Sequence, residues 1–157
     1  GLYYGLEDYA ENLAERLRGD TVVDFCLKIN GDKYSKEINT HLFRIVQQAC
    51  ENAVEHANAK LIRISGVLLP DRAELVVDDN GSGFEWDREG YIDEAIDQEQ
   101  FGLAGMFERA AITGADVRII SNLGQGTQVK VVWSRSSKSK SKNLSSQNGA
   151  SNWSKLK

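Results

Sequence analysis

Cysteine is scarce in this chain: Cys26 and Cys50 are the only two in 157 residues. Two thiols cannot build a disulfide scaffold, and they fit neither common zinc spacing, so a reduced, cytoplasmic compartment is the simplest reading. Long apolar runs are also lacking. Nothing approaches the roughly 18 consecutive apolar residues of a membrane span, and no signal peptide opens the chain. An initiating methionine is missing, and the opening Gly1-Leu2-Tyr3-Tyr4 leads us to expect a fragment cut from something longer. Internal repeats are absent. So are both glycine-rich phosphate motifs, G-x-x-x-x-G-K and G-x-G-x-x-G, which excludes P-loop and Rossmann readings.

Basic charge is short where a nucleic-acid binder would need it. The net charge is -4, yet residues 134–157 carry six bases (Arg135, Lys138, Lys140, Lys142, Lys155, Lys157) and no acids. Residues 1–133 therefore hold 13 bases against all 23 acids, a net of -10. An acidic body is a poor surface for phosphate neutralisation, so no direct nucleic-acid contact is expected. With 41% hydrophobic residues the body can fill a core, and its length suits one domain. We take 1–133 as that domain. With nine serines among its 24 residues, 134–157 reads as a disordered tail or linker.

Periodicity supplies the elements. Leu6, Tyr9, Ala10, Leu13, Ala14 and Leu17 recur at three- and four-residue steps and predict a helix over 3–18, with Gly19 as its stop. Thr21 to Ile29 alternates, placing Val23, Phe25, Leu27 and Ile29 on one face of a strand. A longer helix runs from about Lys36 to Ala57 with Ile38, Leu42, Ile45, Ala49 and Ala53 as its buried stripe. Lys60 to Leu68 and Ala73 to Asp78 predict a hairpin around Leu69-Pro70-Asp71-Arg72. Residues 85–100 hold seven acids and one base and read as a mobile loop without apolar anchors, with a short helical piece near Asp93 to Asp97. Phe101 to Thr113 is helical with Gly114 as C-cap, and a second hairpin joins Asp116–Ser121 to Thr127–Trp133. The order α-β-α-β-β-loop-α-β-β predicts an α/β (α+β) sandwich: a mixed, mostly antiparallel sheet with about three helices on one face.

Four constellations carry chemistry. Gln48, Asn52 and His56, four residues apart, form one polar helix stripe that could grip a metal-bound phosphate; taken alone, a solvated helix face is the better account of them. Asp79-Asn80-Gly81-Ser82-Gly83-Phe84 ends a Val-rich strand in an acid. A carboxylate there accepts two hydrogen bonds, as from an exocyclic amine beside a ring N–H, and glycines admit a planar ligand; an ordinary Asn-Gly turn is the plain alternative. Phe101-Gly102-Leu103-Ala104-Gly105-Met106 opens a helix, where free N–H groups attract anions, or glycine simply ends a loop. Gly124-Gln125-Gly126-Thr127 sits in a hairpin turn, where glycine is expected anyway.

In order and spacing, Asn52-Ala53-Val54-Glu55-His56-Ala57, Asp79 to Phe84, Gly102 to Met106 and Gly124 to Thr127 resemble the N, G1, G2 and G3 boxes of the GHKL (Bergerat-fold) ATPases. Within them the chain looks most like the catalytic ATP-binding domain of a two-component sensor histidine kinase. Arg44-Ile45-Val46-Gln47 and Met106-Phe107-Glu108-Arg109-Ala110 are similar to the subgroup that partners helix-turn-helix response regulators. The match covers roughly residues 36–133. The resemblance implies a Bergerat-type fold with ATP and Mg²⁺ as cofactors. It implies that Asn52 holds Mg²⁺, His56 lies near the phosphates, and Asp79 accepts from the adenine amine. Gly81 and Gly83 would line the adenine pocket. Gly102, Leu103, Gly105 and Met106 would approach the phosphates, Gly126 and Thr127 would support the adenine site, and 85–100 would be a flexible ATP lid.

One departure concerns the chemistry. The family's N box usually reads Glu-x-x-x-Asn, with Glu as base or water-orienting group; here that position is Gln48. Glu51 lies about 100° from Asn52 around the helix and cannot replace it. A positioned base contributes about 10²–10⁴-fold, and Gln can orient a proton without taking it. The phospho-acceptor histidine of such kinases stands on a separate dimerising hairpin, followed by an acid. His41, in Thr40-His41-Leu42-Phe43, lacks that context and reads as a helix-surface residue. The fragment is therefore expected to bind ATP as a monomer without autophosphorylating. Its partners would be the dimerisation domain of the same parent, whether or not that parent is membrane-anchored, and a response regulator of helix-turn-helix output type. The alternatives are a catalytically weakened nucleotide-sensing module, motivated by Gln48, and a GHKL protein-serine kinase.

Overall fold

The computed structural model describes residues 1–86 and 101–135. Of the lid expected over 85–100, residues 87–100 lie outside the described residues, as do its helical piece near Asp93 and the Ser/Lys-rich tail beyond Arg135. The elements follow in the expected order: α1 (Leu2–Arg16), β1 (Val22–Ile29), α2 (Lys36–Glu55), β2 (Leu61–Leu69), β3 (Arg72–Asp79), α3 (Leu103–Thr113), β4 (Asp116–Ser121) and β5 (Thr127–Ser134). The strands form one sheet in the order β1-β2-β3-β5-β4. β1 and β2 run parallel, because α2 carries the chain across between them, and every other pair is antiparallel.

Alternation assigns the two faces of the sheet. Ile62, Ile64 and Leu68 of β2, Ala73, Leu75 and Val77 of β3, Val129, Val131 and Trp133 of β5, and Val117 and Ile119 of β4 are buried under the helices. α2 answers with Leu42, Ile45, Val46, Ala49, Cys50 and Ala53, and α1 with Leu2, Leu6, Ala10 and Leu13. Each such large aliphatic side chain contributes about 1.5–3 kcal/mol on burial. The opposite face is laced with charge: Arg63 meets Asp24 at 2.9 Å, and Glu74 lies between Lys130 at 2.8 Å and Arg72 at 3.1 Å.

Caps set where the helices begin and end. The Ser35 hydroxyl accepts from the Ile38 N–H at 3.3 Å and starts α2. Gly1 offers α1 no side-chain cap, and Asp32 from the loop after β1 substitutes, its carboxylate accepting from the Tyr3 N–H at 3.1 Å. α1 stops at Arg16 with Leu17 as its C-cap, ahead of the expected stop at Gly19. α3 ends as expected on a left-handed Gly114, but it begins at Leu103 rather than Phe101, because Gly102 is itself left-handed (φ 61°). β1 also differs from expectation at one residue: Ile29 is 46% exposed, being the last residue of an edge strand with a neighbour on one side only.

Candidate functional site

The ends of β3, α2 and α3 converge beside the β4–β5 turn. Asp79 is the last residue of β3 and stands in register with Thr127, the first residue of β5. The Gly81 N–H donates to Asp79 Oδ1 at 2.8 Å. Burial raises the Asp79 carboxyl above its ordinary range, and N–H donation from Gly81 and Thr127 offsets part of that rise. The two donors use two of about four lone-pair sites, leaving the carboxylate able to accept from a ligand.

The loop after Asp79 is sewn down on both sides. Asn80 Oδ1 accepts from the Lys60 and Leu61 N–H groups, each at 2.8 Å, and the Ser82 N–H donates to the Ala57 carbonyl at 2.9 Å. Across the site, the Gly124 N–H donates to the Ser82 carbonyl at 2.6 Å. These ties force backbone against backbone. A Cβ on Gly126 (φ 75°) would stand 2.0 Å from the Asp79 carbonyl oxygen, and one on Gly81 would stand 2.4 Å from Ala57 Cβ. Gly83, φ 60°, approaches the Asn122 and Gly126 carbonyls in the same way.

Asn52 holds the other wall. Its Nδ2 donates to the Phe101 carbonyl at 2.6 Å, and its Oδ1 accepts from Gln48 Nε2 at 3.1 Å. The Phe101 carbonyl therefore fixes the orientation of both amides, since only a nitrogen can face it. Gln48 also packs against Gly102, where a Cβ would meet its Cδ at 2.6 Å. His56, at the C-cap of α2, lies with its ring 4.8 Å from that of Phe101, which is 5.1 Å from Phe84.

These residues enclose a cavity between Asp79, Thr127, Gly83, Asn52 and His56, floored by Ala49, Leu103, Ile119 and Val129. Its volume is about 20 Å³, room for a water or two, with the Phe84 and Phe101 rings among its walls. Beyond Asn52 lies a second, open basin of about 440 Å³, lined by Gln48, Gly102, Gly105 and Met106 together with Arg44, Gln47, Glu51 and Arg109. Nothing stands within 4 Å of a Cβ built on Gly105. All twelve residues singled out in the sequence thus line or adjoin these two cavities, although Leu103 and Met106 are also core side chains.

Glu51, expected to face away from the Asn52 stripe, is held by α1: Tyr9 donates to it at 3.1 Å and Arg16 at 3.0 Å. Two expectations need correction. Trp86 gives the acidic loop an apolar anchor at its start, stacking on Phe107 with ring centroids 6.1 Å apart. His41 is half-buried, 3.4 Å from Arg109, because α3 packs beside it.

Sequence reasoning missed Ser121, which is 3% exposed. Its hydroxyl accepts from the Phe84 N–H at 2.9 Å and lies 2.8 Å from Thr127 Oγ1, tying the glycine loop to β5. The signal was available: alternation puts Ser121 on the buried face of β4 with Val117 and Ile119, where a hydroxyl needs partners. The Phe101 carbonyl left no such trace.

Comparison with known proteins accords with this geometry. The family profile described as "Histidine kinase-, DNA gyrase B-, and HSP90-like ATPase" matches residues 37–137. The chain is 32% identical over 127 residues to the sensor histidine kinase LiaS of Bacillus subtilis, covering 81% of this chain and 33% of LiaS. It is 34% identical over 135 residues to the sensor protein VraS of Staphylococcus aureus, covering 81% of this chain and 36% of VraS. The chain thus spans about a third of the length of the curated relatives it matches. Among solved structures, the histidine kinase domain of a blue-light activated kinase from Erythrobacter litoralis superposes with a TM-score of 0.65 at 18% identity, covering 88% of this chain and 63% of that one. The ATP binding domain of PrrB from Mycobacterium tuberculosis gives 0.55 at 25% identity, covering 81% and 89%.

Proposed function

The chain belongs to the histidine kinase-, DNA gyrase B- and HSP90-like ATPases, and on that premise we propose that it is the ATP-binding catalytic domain of a sensor histidine kinase. It presents the γ-phosphoryl of ATP to a histidine on a separate dimerisation domain of its parent, and a response regulator, of helix-turn-helix output type, receives the group. The observation that carries the reading is the half-buried Asp79 carboxylate at the end of β3, flanked by Gly81, Gly83 and Thr127 and facing Asn52 across one cavity. The likeness to sensor kinases favours it over a serine kinase or a purely sensing module.

The site residues fit the implied cofactors. Asp79 accepts from the exocyclic amine of adenine, in a pocket whose glycines leave no Cβ in the way. Adenine is a flat ring, and the apolar floor of Ala49, Ile119 and Val129 excludes water from its face. Asn52, through Oδ1, would hold Mg²⁺, which is bound by few protein ligands plus substrate phosphates and neutralises their charge. His56, Gly102 and Gly105 border the path of the phosphates. Gln48 donates to Asn52 and orients it; lacking a proton-accepting carboxylate, it positions rather than abstracts. Thr127 and Ser121 hold β5 and the glycine loop around Asp79.

The test is transfer. With γ-labelled ATP and magnesium, a chain that includes the phospho-acceptor hairpin is expected to gain acid-labile, base-stable label on histidine. The 157-residue chain alone is expected to gain none. Label on serine, or nucleotide binding with no label in the longer chain, contradicts the reading.

A further inference from the structure

The polar stripe of α2 extends one turn further than the nucleotide site uses. Arg44 precedes Gln48 by four residues, as Gln48 precedes Asn52, so all three share a helix face. On α3, Gly102, Gly105 and Arg109 follow the same logic at steps of three and four. The two arginines therefore arrive from facing helices at the far end of the basin that opens beyond Asn52.

Their pairing sets them apart. Of the eight described arginines, Arg16, Arg18, Arg63, Arg72 and Arg118 each sit on a carboxylate, and Arg135 donates to the Pro70 carbonyl at the β2–β3 turn, away from this basin. Among the described residues Arg44 and Arg109 have no acidic partner. Arg44 donates to the neutral amide of Gln47 at 2.5 Å, and Arg109 lies 3.4 Å from His41 Nδ1. The basin's own acid, Glu51, is held by Tyr9 and Arg16. In a body with a net charge of -10, two guanidinium groups in one basin with no carboxylate partner among the described residues offer a local positive site to an incoming anion. Exchanging a neutral amide or imidazole for phosphate oxygens replaces ordinary hydrogen bonds with charge-assisted, fork-shaped ones.

We propose that Arg44 and Arg109 form a two-arginine clamp for the terminal phosphate of a nucleoside triphosphate, giving this site its preference for tri- over diphosphate. The proposal rests on the nucleotide reading given above. With the base at Asp79 and the metal-bound phosphates at Asn52, the chain of phosphates continues past Gln48 and Gly102, and the last one reaches the arginines. They act as positioning residues: they hold the group to be transferred and take no part in bond making.

Calorimetric titration of the whole chain with Mg·ATP, Mg·ADP and AMP tests this, in wild type and in Arg44→Ala, Arg109→Ala and Arg109→Lys. Wild type is expected to bind ATP at least tenfold more tightly than ADP. Each alanine variant should lose about tenfold or more for ATP and less than twofold for ADP and AMP, and Arg109→Lys should recover part of the loss. Inorganic triphosphate should compete with ATP in wild type and fail to in the variants. An equal loss for all three nucleotides, with a lowered melting temperature, marks a structural effect and overturns the clamp; so do unchanged affinities. Equal ATP and ADP affinity in wild type overturns the clamp while leaving the nucleotide site intact. No nucleotide binding in wild type overturns both.

Discussion

Asp79 is in conflict with its surroundings. Burial raises its carboxyl above the ordinary range, so at neutral pH ionisation costs folded-state stability that a neutral isostere does not. The sign follows from linkage: with the folded value above the unfolded one, stability falls as pH rises through that window and levels off above it. Asp79→Asn is therefore expected to be at least as stable as wild type at pH 7 in urea unfolding without nucleotide, with the difference vanishing in acid; a marked destabilisation contradicts this. Gly126 carries the opposite expectation. A Cβ there stands 2.0 Å from the Asp79 carbonyl at φ 75°, so Gly126→Ala should lose about 1–3 kcal/mol or more in the same assay. Gln48→Glu, in a chain carrying the phospho-acceptor hairpin, is expected to raise phosphohistidine formation, since a carboxylate adds a base that an amide lacks. Unchanged turnover shows that Gln48 does not limit the chemistry. At this scale the site was largely legible. Asp79, Asn52 and the glycines announce themselves by type and spacing. The Phe101 carbonyl on Asn52 does not, because a main-chain acceptor leaves no mark on residue identity.

Elements were legible where local rules decide. The apolar steps of α2 and the glycine after α3 predicted both helices to within a residue or two. The start of α3 slipped because Gly102 is bound into the site in a left-handed conformation, a tertiary demand that overrides the helical pattern around it. The hairpins β2–β3 and β4–β5 followed from turn residues. The pairing of β1 with β2 and of β3 with β5 did not, because both join strands far apart in the chain and depend on how α2 and α3 cover the sheet. The caps give a direct check: Ser35→Ala should lose about 1 kcal/mol in urea unfolding, as the Ile38 N–H loses its acceptor. No change means that α2 is held by packing alone.

For the molecule as a whole, the cavity beside Asp79 is small, with Phe84 and Phe101 among its walls, and the basin beyond Asn52 is open. Among the described residues no helix is long and apolar enough to cross a membrane. Binding should stabilise the folded chain by mass action, by about 2.7 kcal/mol at 100 times the dissociation constant. The measurement that bears most directly on the account is calorimetric titration of Mg·ATP into the chain, with Asp79→Asn as control. We expect one saturable site in wild type and at least a tenfold loss of affinity in the variant. No heat of binding in wild type, or equal affinity in both proteins, contradicts the nucleotide site.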